Sequence, residues 1–205
     1  MHETPPPLSS NAGLLGRKDF FIRERVGFLK LTDAYDIMDP ASGIQVGLAK
    51  EVGKFAWLRL LINKALLPTT VLVYEADQQT VAIRMEKPFT FWRTRFSIYN
   101  GQGQFLGLLR TKFFSFKREL ILEDANERPV GAFSGKWLSW TRELVDDSGQ
   151  VIGTMDKKWA GIGKEFFTSA DNYHLALLPG AASQPARVAL LLAACLGYDL
   201  IFTES

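Results

Sequence analysis

Residues able to do covalent or acid–base chemistry are sparse in this sequence of 205 residues. There are two histidines, His2 near the start and His174 in a run that alternates like a strand, and one cysteine, Cys195, inside an apolar stretch. No Gly-x-Ser-x-Gly elbow and no His-Glu-x-x-His motif occurs. Gly101-Gln-Gly103 falls in a turn between two strands, and Gly161-Ile-Gly-Lys164 lacks Walker spacing, so neither is a nucleotide cradle. One cysteine can make neither an internal disulfide nor a Cys-based zinc site, and a lone thiol fits a reducing compartment. These residues imply no enzyme and no cofactor.

The charges are more informative. Net charge is only +2, which speaks against a nucleic-acid binder. From Arg84 to Arg118, however, eight basic residues (Arg84, Lys87, Arg93, Arg95, Arg110, Lys112, Lys117, Arg118) face one acid, Glu86, a local net charge of +7. Residues 119–205 hold seven basic and twelve acidic residues, a net charge of −5. Phe89, Phe91, Trp92, Phe113, Phe114 and Phe116 interleave with the cations. Cations among aromatics suit an anionic headgroup or membrane surface, at about 1 kcal/mol per well-placed Lys or Arg. The plainer reading has the aromatics pointing into the fold and the charges solvated. The sequence leaves open which face of these strands is outward.

The elements that carry the cations repeat. Tyr35–Gly47, Phe96–Gly107, Leu120–Gly131 and Leu144–Gly153 each read as a strand ending in Asp or Asn, a polar turn, and an apolar return with a glycine. A weaker copy runs from Val73 through Asp77 to Ala82, with Ala in place of Gly. Three basic–acidic pairs follow the later copies: Arg118-Glu119, Arg142-Glu143 and Lys164-Glu165. Each unit is a β-hairpin, its strands alternating with the period of a half-buried sheet. The glycine in the return strand predicts a bulge or a close backbone approach. Five hairpins, with strands at about Phe20–Val26 and Asn172–Leu178, give about twelve strands.

Two segments break the pattern. Lys54–Leu67 has no turn residues and stops at Pro68, which predicts an amphipathic helix. Gln184–Glu204 is apolar on every face through Val188–Tyr198, so a helix there must be buried all round or sit in lipid. Its uncharged run of 11 residues is short of the roughly 20 needed to cross a bilayer, and Asp199 would cost about 2.5–3.5 kcal/mol at mid-span. Twelve antiparallel strands close to remove their edges, leaving a barrel too wide for its own side chains to fill. The expected fold is therefore mainly β: a closed antiparallel barrel of about twelve strands around a buried apolar C-terminal helix, with Asp199 a buried polar group inside it. The domain is expected over 17–205, with 1–16, rich in Pro and small polar residues, as a disordered tail rather than a signal peptide.

These motifs resemble a known family. Lys157-Lys-Trp-Ala-Gly-Ile-Gly-Lys-Glu-Phe-Phe-Thr-Ser-Ala-Asp-Asn-Tyr173 and Ala193-Ala-Cys-Leu-Gly-Tyr-Asp-Leu-Ile-Phe-Thr-Glu204 are similar to the phospholipid scramblase and LURP-one-related branch of the tubby C-terminal-like superfamily. With the hairpins, the resemblance runs from about Phe20 to the end. It implies the same barrel around a C-terminal helix, and a role at membranes. Animal scramblases carry a calcium loop whose three acidic positions match Ser169, Asp171 and Gly180 here, so Asp171 alone remains as a candidate metal ligand. Calcium takes six to eight oxygens, so no calcium cofactor is expected. The palmitoylated cysteine cluster of animal members is absent.

The combined expectation is a scramblase-related protein that binds anionic phospholipid or a membrane surface peripherally, through Arg93, Arg95, Arg110, Lys112, Lys117 and Arg118. The place implied is the cytoplasm, at the inner face of the plasma membrane. A plugged barrel offers no polar path through a bilayer, so lipid flipping itself is not expected. The alternative is a soluble interaction scaffold, with a protein partner, or a small-ligand-binding barrel, in either case with a regulatory role.

Overall fold

The computed structural model describes residues 13–25, 32–53, 66–89, 94–111, 120–134, 140–157 and 172–202. Twelve strands follow one another: β1 (Asp19–Glu24), β2 (Ala34–Met38), β3 (Gln45–Val52), β4 (Thr69–Glu75), β5 (Val81–Lys87), β6 (Arg95–Asn100), β7 (Phe105–Thr111), β8 (Leu120–Asp124), β9 (Pro129–Ser134), β10 (Thr141–Val145), β11 (Val151–Lys157) and β12 (Asn172–Leu177). A single helix, α1 (Pro185–Phe202), closes the chain. Each strand pairs antiparallel with its chain neighbours, and β1 pairs with both β2 and β12, so the sheet is a closed barrel without an edge.

The five repeated units are five hairpins with one local design. An Asp or Asn at the end of the first strand, or one or two residues past it, turns its side-chain oxygen onto a backbone N–H two residues on. Asp39 accepts from Ala41 N, Asp77 from Gln79 N, Asn100 from Gln102 N, Asp124 from Asn126 N and Asp146 from Ser148 N. These Asx turns fold from local sequence alone. Each return strand then inserts one extra residue: Val46, Ala82, Leu106, Val130 and Ile152 have no register partner across their hairpins. The bulges strengthen the local twist that a closing barrel needs. The glycine follows the bulge in four hairpins. At Gly107, with φ +158°, a Cβ would lie 2.0 Å from the Glu123 carbonyl oxygen of the next strand. In the weak copy Ala82 is the bulged residue itself, and Ile83 holds the register of the glycine.

The core lies between the barrel wall and α1. Along β4, Thr69, Val71 and Val73 are buried and alternate with half-exposed residues, and along β6 Phe96 and Ile98 do the same. From Val188 to Asp199 every residue of α1 is buried. Eighteen residues make a helix about 27 Å long, enough to run the length of the barrel. By length and composition alone α1 could cross a membrane, but 67% of that window is buried inside the protein. Cys195 is buried with it, and its thiol is held above its ordinary range by burial and by the charge of Asp199.

The domain begins earlier than the expected boundary at residue 17. Leu14–Gly16 is a 3-10 turn, Leu14 is 1% exposed within the core, and its backbone N–H donates to Glu75 at 2.7 Å. The expected helix over Lys54–Leu67 falls, apart from its last two residues, outside the described residues.

The barrel has two unlike ends. All five Asx turns, and the entry to α1, lie at one end. At the other, β1 leads to β2, β3 to β4, β5 to β6, β7 to β8, β9 to β10 and β11 to β12, and α1 finishes.

Candidate functional site

The predicted binding cations divide by position. Arg95 opens β6 and Arg110 closes β7, and the two are direct register partners. Their neighbours Phe96 and Leu109, 1% and 0% exposed, point into the core, so both arginines point outward. Like charges directly opposite on a sheet repel. Glu123 of β8 relieves one of them: Arg110 donates to its Oε1 from Nε at 3.0 Å and from Nη2. The carboxylate raises the Arg110 pKa further. Arg95 is exposed and next to that pair.

Arg84 lies one strand over. Its guanidinium sits 4.6 Å from the centre of the Tyr99 ring, and its Nε is 3.4 Å from Glu86. Lys87, counted in the basic stretch, is only 7% exposed and is no surface cation. Arg93, Lys112, Lys117 and Arg118 lie outside the described residues, as do Phe91, Trp92, Phe113, Phe114 and Phe116. Of the interleaved aromatics that are described, Phe89 is 50% exposed, just past the end of β5. Trp140, ahead of β10 at the same end of the barrel, is 56% exposed.

Asp199 lies inside the barrel, 1% exposed, near the end of α1. Tyr35 of β2 donates its hydroxyl to Asp199 Oδ2 at 2.6 Å, and Tyr173 of β12 donates to Oδ1. Both tyrosines are 1% exposed. Burial and the Asp199 charge together push the Tyr35 hydroxyl well above its ordinary pKa, so it stays a donor. Lys157 Nζ is 5.7 Å from the Tyr173 ring centre, and buried Arg142 sits 4.7 Å from that of Tyr198, the residue before Asp199. A buried carboxylate is tolerated where hydrogen bonds replace its water. The sequence identified Asp199 but neither tyrosine, which reach it from 164 and 26 residues away. This group is built to hold α1 in place.

Of the remaining chemistry-bearing residues that the sequence singled out, His174 is described. His174 is half-buried on β12, its Nε2 3.8 Å from Asp19, and burial lowers its pKa against the pull of Asp19 and Asp156. Among the described residues no three His, Cys, Asp or Glu side chains gather into a metal site. Asp171 and Ser169 lie outside the described residues, and Gly180 brings no side chain to its position before α1.

Known protein families, curated proteins and solved structures give no match to this chain.

Proposed function

We propose that this protein binds the surface of an anionic phospholipid membrane peripherally, with the end of the barrel opposite the Asx turns facing the lipid. The observation that carries this is the outward pair Arg95 and Arg110, side by side in register at that end. An anionic phosphate at Arg95 would do for its guanidinium what Glu123 does for that of Arg110. The neighbouring sequence agrees. In sequence Arg93 falls between β5 and β6, and Lys112, Lys117 and Arg118 fall between β7 and β8; Trp140, 56% exposed, stands at this end just ahead of β10. Tryptophan favours the headgroup level of a bilayer, and exposed Phe89 can enter the same layer. The opposite end carries Asp39, Asp77, Asp124, Asp146 and Asp147 in its turns, which an anionic surface repels. The resemblance to scramblase-related proteins points the same way.

Co-sedimentation with vesicles tests this. Phosphatidylserine-containing vesicles should pellet the protein at low salt and release it at high salt, and phosphatidylcholine vesicles should not bind it. At about 1 kcal/mol per cation, combining Arg93→Glu, Arg95→Glu, Lys112→Glu and Lys117→Glu should weaken binding by about a thousandfold. Undiminished binding of that variant would reject this surface. Absence of binding to any vesicle would leave the protein-partner reading.

A further inference from the structure

The Asx-turn end of the barrel holds a cleft of about 500 Å³, between the β6–β7 and β8–β9 turns and the first turns of α1. Two of the bulged residues, Leu106 and Val130, line it with Phe105 and Leu190. A bulge turns its extra side chain out of the regular alternation, and here it supplies an apolar floor. The volume is within the range of small-molecule sites.

The polar wall of the cleft is uneven. Asp124 and Arg128 satisfy each other, with Arg128 Nε and Nη2 donating to Asp124 Oδ2 at 3.0 and 2.8 Å. Asp147 stands exposed at the rim, where water screens it. Arg187, from the first turn of α1, differs: its Nε is buried and has no hydrogen-bond partner among the described residues. The acid that feels its charge, Asp146, spends Oδ1 on Ser148 N, Ser148 Oγ and Gln150 N of its own turn. A buried guanidinium N–H without an acceptor is costly, and native structures seldom leave one so. No acid occupies the first turn of α1 to answer it.

We infer that this cleft is a binding site for a small amphipathic anion, its carboxylate or sulfonate head on Arg187 and its apolar body on Phe105, Leu106, Val130 and Leu190. Its place at the opposite end of the barrel separates it from the proposed membrane surface.

Calorimetric titration of the full chain with decanoate, below its micellar concentration and without vesicles, tests the site. Decanol serves as the uncharged counterpart and inorganic phosphate as the head alone. Saturable one-to-one binding of decanoate is expected, with decanol and phosphate each at least tenfold weaker. Arg187→Gln should weaken decanoate at least tenfold and leave decanol unchanged. Ala186→Phe, placed on the cleft wall and exposed, should block both ligands and keeps the test valid should Arg187→Gln fail to fold. No saturable decanoate binding, equal affinity for decanoate and decanol, or binding unaffected by either substitution would overturn the inference.

Discussion

Replacing Tyr35 by phenylalanine removes one hydroxyl and leaves the ring that packs beside Asp199. The lost interaction is a 2.6 Å hydrogen bond to a carboxylate that is 1% exposed. Hydrogen bonds to charged groups contribute about 1.5–3 kcal/mol, and no water can replace this donor without opening the barrel. For a domain of this size each kcal/mol shifts Tm by about 2–4 °C, so Tyr35→Phe should lower Tm by roughly 3–12 °C. Tyr173→Phe, which removes the donor to the other oxygen, should fall in the same range. The two losses share one acceptor, so a double-mutant cycle should show a coupling of about 0.5 kcal/mol or more. Tyr99→Phe is the control: that ring is half-exposed and stacks under Arg84 by its face, so Tm should move by less than about 2 °C. Thermal denaturation followed by near-ultraviolet circular dichroism reads all four variants. A Tyr35→Phe protein as stable as the Tyr99→Phe control would refute the claim that these hydroxyls hold α1 in the barrel.

Three further outcomes follow from the same geometry. Burial lowers the His174 pKa, so the unfolded chain takes up that proton first; its contribution is complete above about pH 6.5 and is lost as pH falls from there through the folded value. His174→Gln should therefore flatten the fall of the urea midpoint between pH 7 and 5, and an unchanged slope would contradict this. Gly107→Ala brings a Cβ to 2.0 Å from the Glu123 carbonyl at φ +158° and should cost at least about 1–3 kcal/mol, whereas Gly53→Ala, with nothing within 4 Å, should stay within about 0.5 kcal/mol; equal urea midpoints for the two would be the wrong result. Cys195 should resist a thiol reagent in the native protein and react only after denaturant is added, since burial keeps it protonated and out of reach; fast native labelling would show that α1 leaves the barrel.

Local physics explains what the sequence disclosed. An Asx turn links residues two to four apart, so Asp39, Asp77, Asn100, Asp124 and Asp146 announce their hairpins in linear sequence. The all-apolar face of α1 likewise announces a fully buried helix, and a wide barrel is its natural sheath. Contacts set by closure were not legible. Tyr35 and Tyr173 meet Asp199 only because β1 joins β2 to β12, and no spacing encodes that. Leu14 looked like tail because the groups that hold it are distant in sequence: its backbone N–H donates to Glu75, 61 residues away, and its side chain joins the barrel core. Counting charges along the chain also misled: Lys87 belongs to the basic stretch in sequence but is buried, and Arg110 is paired with Glu123 from the next strand. Of the six predicted lipid-binding cations, Arg95 and Arg110 are brought together, and the other four fall outside the described residues.

Tryptophan quenching by brominated phospholipid tests the membrane orientation most directly. With brominated phosphatidylserine vesicles at low salt, the intrinsic fluorescence should drop and recover at high salt, because Trp140 stands exposed at the end proposed to face the lipid. A tryptophan placed at the other end by Gln79→Trp, read as the added signal over the parent, should escape quenching. Parent fluorescence unchanged by brominated anionic vesicles at low salt, or quenching confined to the added tryptophan, would contradict the account.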